Sequence, residues 1–340
     1  MKNRTEQICM TEIRFNISEH SRTLKFRQLV DAVMDAISQN QLKPGDMLPS
    51  VNYLIKECNI SRDTVFKAYA ELKKRGVVES VPNRGYFVAR KFTRVLLFLD
   101  TFKAYKEVLY HSFRDHLRKD ISVDLHFHHY NIHVFETIIK ESLGKYSSYV
   151  IMNFDHPRVR RIIEKIPSEK LLVIDWNIHC PGNISWVRQD FGDPVYNLFA
   201  ANVELIRKYR RFILNYPPFT YHPVDTVTHF KRFCRDFGVN HQVITDQQEF
   251  KVERGDLFFL VSDRTLARFL DQCSERGFET GKDVGVISYN ETPMKKYVKN
   301  GISVISTDFE LMGEKAADFA NSGVAVNETV PTSIKLRSSM

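Results

Sequence analysis

Two short stretches near the start of the chain hold the residue types that bond to phosphate and to base edges. Ser61-Arg62-Asp63-Thr64 opens a helical run that continues through Phe66 and Lys67. A serine hydroxyl at a helix start caps the backbone N–H groups, and those N–H groups are where phosphate oxygens dock. Arg62, in the first turn, can pair with guanine O6 and N7 together, a contact worth roughly 1–3 kcal/mol of discrimination. Thr64 and Lys67 suit phosphate or base contacts. Ser50 is a second cap of the same kind, eleven residues earlier. Phe66 lies off the stripe Val65, Ala68, Tyr69, Leu72, so it either meets a thymine methyl or packs on a neighbouring helix. Asp63 either complements the helix dipole or accepts from a cytosine amino group. Arg84-Gly85 has the charge and the close backbone approach that a minor groove requires.

These side chains need elements to hold them. Phe26, Leu29, Val30, Val33, Met34 and Ile37 follow helical spacing, which predicts an amphipathic helix of about four turns. Lys43-Pro44-Gly45-Asp46 breaks it, and Pro49 keeps the chain extended before the Ser50 cap. A short helix carrying Leu54, Ile55 and Cys58 follows, then a turn, then the Ser61 helix to about Arg75, stopped by Gly76. Val77 to Val81 and Tyr86 to Val88, joined by Pro82-Asn83-Arg84-Gly85, read as a hairpin whose glycine supplies a positive φ. Helix, helix, helix, hairpin over residues 25–90 predicts a winged helix-turn-helix. Residues 1–24 are polar and without periodicity, which predicts a flexible segment.

The charge is placed to match. The 340-residue chain carries a formal net charge of +8. Residues 1–91 hold 16 Lys and Arg against 10 Asp and Glu, whereas the remainder holds 33 against 31. A basic first quarter on a nearly neutral body suits a partner that is a polyanion.

From residue 94 the pattern changes to apolar, strand-length runs alternating with helical stretches. Strands are expected near 95–99, 122–127, 149–153, 171–174, 184–187, 211–215, 242–245, 257–261, 284–288 and 303–306, and helices near 103–119, 195–208, 224–237, 265–276 and 311–321. Such alternation predicts parallel sheets covered by helices. At 94–340 the segment exceeds one such unit, which predicts two lobes. The fold class expected is therefore α/β: a winged helix-turn-helix followed by a two-lobed, doubly wound, parallel-sheet clamshell.

The first segment resembles the GntR-type regulators. The resemblance rests on Pro44-Gly45-Asp46-Met47-Leu48-Pro49-Ser50, on Ser61-Arg62-Asp63-Thr64-Val65, and on Leu72 to Gly76 with Gly85-Tyr86-Phe87-Val88. It implies DNA binding through Ser50, Asn52, Ser61, Arg62, Thr64, Phe66, Lys67, Arg84 and Gly85. Asn52 stands where members often carry arginine, and Phe66 where many carry a basic residue, so the operator sequence does not carry over.

The second segment resembles LacI-type sugar-sensing domains, which share the periplasmic-binding-protein-like build. Asp256 to Arg264 with Ala267, Gly277 to Asn290, Ile302 to Gly313, and Thr329 to Ser339 carry the likeness. It implies a small-molecule effector, a monosaccharide, held at strand ends by Asp175, Arg188, Asp263 and Asn290. Trp176, Tyr289 or Phe102 would stack on an apolar sugar face. Asn290 replaces the usual aspartate and Ser262 the usual asparagine. Together the two resemblances imply a repressor of carbohydrate-utilisation genes, acting as a homodimer on a pseudo-palindromic double-stranded operator.

Other chemistries find little purchase. The five cysteines are dispersed with no CxxC pair, as suits a reducing compartment. His126, His128 and His133 invite a metal, but no carboxylate or cysteine completes a set there. GxSxG, GxGxxG and GxxxxGK[ST] are all absent, and no Schiff-base lysine stands in a recognisable setting. The enzyme alternative, a DNA-binding head on a catalytic α/β body acting on a small metabolite, thus lacks a motif, and no cofactor is expected. Residues 1–8 carry no apolar core of a leader and no run is membrane-length, so a cytoplasmic, non-membrane protein is expected.

Overall fold

A computed structural model describes residues 15–19, 21, 23–82, 84–89, 94–176, 180 and 182–340. Three helices open it: α1 (Lys25–Ser38), α2 (Val51–Cys58) and α3 (Arg62–Lys74). The apolar stripe of α1 (Leu29, Val30, Val33, Met34, Ile37) meets Val65, Ala68, Tyr69 and Leu72 of α3 in one core. Strands β1 (Val78–Val81) and β2 (Gly85–Val88) form an antiparallel hairpin, to which Met47 adds a bridge at Phe87. Phe15 is buried in the same core and Ser18 exchanges hydrogen bonds with Gln28. That part of the segment expected to be flexible therefore packs on the head.

The body is two six-stranded sheets. Lobe 1 comprises β3 (Arg94–Leu99), α4 (Ala104–His116), β4 (Ser122–Phe127), α5 (Ile132–Ser142), β5 (Ser148–Met152), α6 (Val159–Ile163), β6 (Leu171–Asp175) and β7 (Ser185–Arg188). The chain then crosses to lobe 2, which holds α7 (Asp193–Ala201), α8 (Val203–Ile206), β8 (Arg211–Asn215), α9 (Asp225–Asp236), β9 (His241–Ile244), β10 (Asp256–Leu260), α10 (Asp263–Glu275), β11 (Gly285–Tyr289) and β12 (Ser303–Thr307). A second crossing returns α11 (Phe309–Ser322) and β13 (Asn327–Thr329) to lobe 1, and a third delivers β14 (Thr332–Lys335) to lobe 2. The lobe 1 order is β13-β7-β6-β5-β3-β4, all parallel; the lobe 2 order is β14-β12-β11-β10-β8-β9, with β14 alone antiparallel.

Three crossings tie two rigid lobes with short, central strands, which is the geometry of a hinge. The strands are continuous apolar runs because helices cover both faces of each sheet. Lobe 1 has separate cores on its two faces, one against α4 and α11 and one against α5 and α6. On the first of these Gly313 makes the helix contact close: a Cβ there would lie 2.5 Å from the Leu109 carbonyl oxygen of α4. Any larger residue would force α11, and the crossings at both its ends, away from lobe 1. The helix expected over 195–208 is broken at Asn202, where the backbone leaves helical geometry and separates α7 from α8.

Candidate DNA-reading face and interlobe cleft

On the head, both predicted caps are formed. Ser50 Oγ accepts from the Tyr53 N–H at 3.2 Å, and Ser61 Oγ accepts from the Thr64 N–H at 3.2 Å. The Thr64 hydroxyl lies 2.8 Å from Ser61 Oγ. Arg62 is exposed at the start of α3, and its Nη2 donates to Asn52 Oδ1 of α2 at 2.9 Å. Asn52 thus stands behind the guanidinium rather than beside it as a second cation. Phe66 is 44% exposed. Lys67 pairs with Asp63 one turn back at 3.0 Å, both well exposed, a contact of little energetic weight that leaves the ammonium open to phosphate. Arg84 and Gly85 sit at the hairpin tip.

In the body, a cleft of about 460 Å³ opens between the lobes, and its residues follow the carboxyl ends of parallel strands. Asp100 and Lys103 follow β3, Asn153 to Asp155 follow β5, Asp175 ends β6, Gln189 follows β7, Tyr216 follows β8, Val261 and Ser262 follow β10, and Asn290 follows β11. Asp175 and Asn290 occupy corresponding positions in the two lobes. Both adopt left-handed backbone, with φ of 73° and 62°. Non-glycine residues rarely take that conformation, and where they do the strain tends to aim a side chain into a working site.

Asp175 accepts from Gln189 Nε2, and burial pushes its carboxyl upward against the opposing pull of Lys106 and Lys103. Asp100 binds the fully buried Lys106 ammonium and also accepts from the Tyr130 hydroxyl and the Thr101 N–H. Gln189 is 4% exposed and its Oε1 accepts from Thr307 at 2.7 Å and Tyr289 at 3.3 Å. Thr307 in turn lies 2.9 Å from the Thr332 hydroxyl. One amide therefore connects the lobe 1 carboxylate, a lobe 2 tyrosine and two further crossings.

His222 follows β8 on the opposite wall. The Thr226 hydroxyl donates to the Phe191 carbonyl, so it must accept from His222 Nε2 at 2.7 Å. This fixes the tautomer and leaves Nδ1 as an acceptor. Burial holds the imidazole neutral, down to about 3. At the cleft margin Tyr130 of lobe 1 stacks face to face on Tyr221 of lobe 2, with centroids 3.6 Å apart and planes within 6°.

Of the seven side chains expected to hold an effector, Asp175, Trp176 and Asn290 line the cleft. Tyr289 lies just beneath it, 2% exposed, with its hydroxyl on Gln189. Arg188 points to the outer face of the sheet, over the Trp186 ring at 4.6 Å and bonded to Thr329. Asp263 begins α10 and pairs with Lys295 at 2.8 Å, while its neighbour Ser262 lines the cleft. Phe102 is 63% exposed and rests edge-on against Phe127. Gln189, Lys103, His222 and the Tyr130–Tyr221 pair were not foreseen. Strand alternation held the signal for Gln189: Trp186 and Arg188 share one face, so residue 189 takes the other. His128, the centre of the histidine cluster, is buried with Nε2 on the Met152 carbonyl and Nδ1 accepting from the Tyr130 N–H; both ring nitrogens are spent inside the fold. No group of three or more metal-ligating side chains occurs among the described residues.

The described residues thus form a winged helix-turn-helix followed by a two-lobed body with a cleft at its strand ends. Comparison with known proteins gives both parts a lineage. Residues 25–88 match the family of bacterial regulatory proteins, gntR family, and residues 206–340 match the periplasmic binding protein-like domain. The chain is a GntR-type helix-turn-helix head joined to a periplasmic-binding-protein-like body. It is similar to the HTH-type transcriptional repressor YtrA of Bacillus subtilis, 31% identical over 81 residues, covering 24% of this chain and 62% of that protein. It is also similar to the HTH-type transcriptional regulator GalR of Streptococcus thermophilus, 25% identical over 122 residues, covering 32% of this chain and 37% of that one. The chain spans less than two thirds of the length of these curated relatives. The body shares its fold with a LacI family transcriptional regulator from Lactobacillus casei solved with bound sucrose: TM-score 0.60, 15% identity, 73% of this chain and 100% of that one. No helix among the described residues is long and apolar enough to cross a membrane.

Proposed function

We propose that the protein is a sequence-specific DNA-binding transcription regulator of the cytoplasm, a repressor of carbohydrate-utilisation genes relieved when a monosaccharide fills the interlobe cleft. The observation that carries this reading is the pairing of Asp175 and Asn290, one from each lobe, both in strained backbone at the same cleft. Asp and Asn hydrogen-bond sugar hydroxyls, and Trp176 supplies an apolar wall for a sugar face. A ligand gripped from both sides favours the closed clamshell only by its differential affinity for that state. The head reads DNA through Arg62, Thr64, Phe66 and Lys67 on α3, with Ser50, Ser61 and the Arg84-Gly85 tip on the backbone. One head gives too little specificity, so the working unit is a homodimer on a pseudo-palindromic operator.

The reading is tested by selecting operator DNA from a random pool and screening monosaccharides for thermal stabilisation of the full chain, since binding must raise the melting temperature. A sugar that stabilises the protein and lowers operator affinity supports it. A sugar that stabilises the protein and tightens operator binding replaces the repressor with a ligand-dependent binder.

A further inference from the structure

Two of the strand ends that lobe 2 brings to the cleft are joined by one buried ammonium. Lys295 lies in the loop between β11 and β12 and is 3% exposed. Its Nζ donates to the Tyr289 carbonyl at 3.0 Å and to the Asn290 carbonyl at 2.6 Å. The third partner is Asp263 Oδ1, at 2.8 Å, in the first turn of α10. An ammonium has three donors, so each is used and the buried charge is paired. The loop folds back to bring Lys295 beneath its own start. There the Lys295 N–H donates to the Thr292 carbonyl, and the Lys295 carbonyl accepts from the Ile302 N–H.

This arrangement accounts for the backbone of Asn290. Along a strand successive carbonyls point in opposite directions, whereas a left-handed residue aligns the two that flank it. With φ of 62° at Asn290, the carbonyls of Tyr289 and Asn290 converge on one atom. The Asn290 side chain does not supply that hold, since its Oδ1 is buried without a hydrogen bond among the described residues. Asp263 follows Ser262, which lines the cleft at the start of α10. We propose that Lys295 is the positioning residue of the lobe 2 wall, locking the Asn290 turn and the Ser262 end of α10 into one unit. Asp263 then acts on the cleft through Lys295 and not by touching an effector. The consequence for binding rests on the reading of the cleft as a sugar site; the lock itself does not.

Hydrogen exchange of the full chain without sugar reads the lock directly. Lys295→Met speeds exchange roughly tenfold over both 286–298 and 262–270 and leaves 148–155 of lobe 1 unchanged. Asp263→Asn replaces an exposed side chain and keeps an acceptor, yet it also speeds exchange over 286–298, on another element. Calorimetry then compares glucose, galactose, mannose, xylose and ribose on each variant. Every sugar that binds the wild type loses roughly tenfold in Lys295→Met and about threefold in Asp263→Asn. The double variant binds no worse than Lys295→Met alone. Asp263 also lies within electrostatic reach of Lys103 of lobe 1. Action by that route makes the two losses add in the double variant, which overturns the proposal. Unchanged exchange over 262–270 in Lys295→Met overturns it too, leaving Lys295 a support for its own loop. Where Lys295→Met does not fold, unchanged exchange over 286–298 in Asp263→Asn is the contrary result. A panel in which no sugar binds removes the sugar reading, and exchange alone then decides the lock.

Discussion

Arg62, proposed to read a guanine, is ordered by a neighbouring helix in the protein alone. Its guanidinium is held by Asn52 across the α2–α3 turn, so part of the entropy of ordering a long side chain is lost in folding rather than on binding. Arg62→Ala is expected to cost about 1–3 kcal/mol of operator affinity and to relax one guanine position. Asn52→Ala keeps the contact but frees the side chain, so it costs less affinity while broadening the base preference; repeating the operator selection with each variant separates the two. An Asn52→Ala preference identical to the wild type removes the positioning role. Phe66 is tested on the DNA: replacing the facing thymine by uracil deletes only a methyl, and unchanged affinity makes Phe66 a packing residue. The Ser50 and Ser61 caps and the first-turn place of Arg62 were legible in the sequence because caps and first-turn positions are local. The Asn52 contact was not, because a bond between side chains ten residues apart depends on how two helices cross.

Among the elements, the loops after β4 and β8 meet in the Tyr130–Tyr221 stack, which bridges the lobes at the cleft margin. An aromatic pair contributes about 0.5–1.5 kcal/mol beyond burial, so Tyr221→Ala is expected to speed ligand release roughly three- to tenfold. Trp176, in the cleft, gives the stopped-flow fluorescence signal; release at the wild-type rate excludes a clasp. The same loop holds His128, which burial takes from the usual 6.5 down to about 4. Between those values the unfolded chain binds a proton that the fold refuses, so stability falls as pH drops from 6.5 to 4, by up to about 3 kcal/mol. An NMR titration of the His128 ring with a midpoint near 6.5 contradicts this. The strands were readable because apolar runs flanked by helices are a strong pattern, and all ten expected positions fall within one residue of β3 to β12 at both ends. The break at Asn202 and the late return of β13 to lobe 1 were not, since both are decided by packing between distant segments.

For the molecule as a whole, the question is how cleft and head communicate. Within the body, Gln189 joins Asp175, Tyr289 and Thr307 at the crossings, so the lobes cannot turn without altering what Asp175 offers a ligand. Towards the head, the turn after α5 presses on α1: a Cβ on Gly144 would stand 2.7 Å from the Met34 carbonyl oxygen. A groove between the end of α1 and lobe 1 residues 160–169 lies beside this contact. The joint at 89–93 contains no glycine or proline, and from residue 90 it lies outside the described residues. In a homodimer, closure in each body would change the separation of two heads that must meet major grooves about 34–36 Å apart. A short DNA with one half-site is accordingly expected to bind far more weakly than one with two, and equal affinity in a gel shift sinks the dimer. Occupancy of the cleft is expected to change the hold of the head on DNA. This is tested by fluorescence anisotropy of labelled operator with the full chain, with and without a sugar that raises its melting temperature, in the wild type and in Asp175→Ala. The expected result is a roughly 5- to 150-fold loss of wild-type affinity on adding the sugar, with the variant binding operator normally and ignoring the sugar. Operator affinity unmoved by a saturating, stabilising sugar in the wild type would mean that cleft and head are uncoupled.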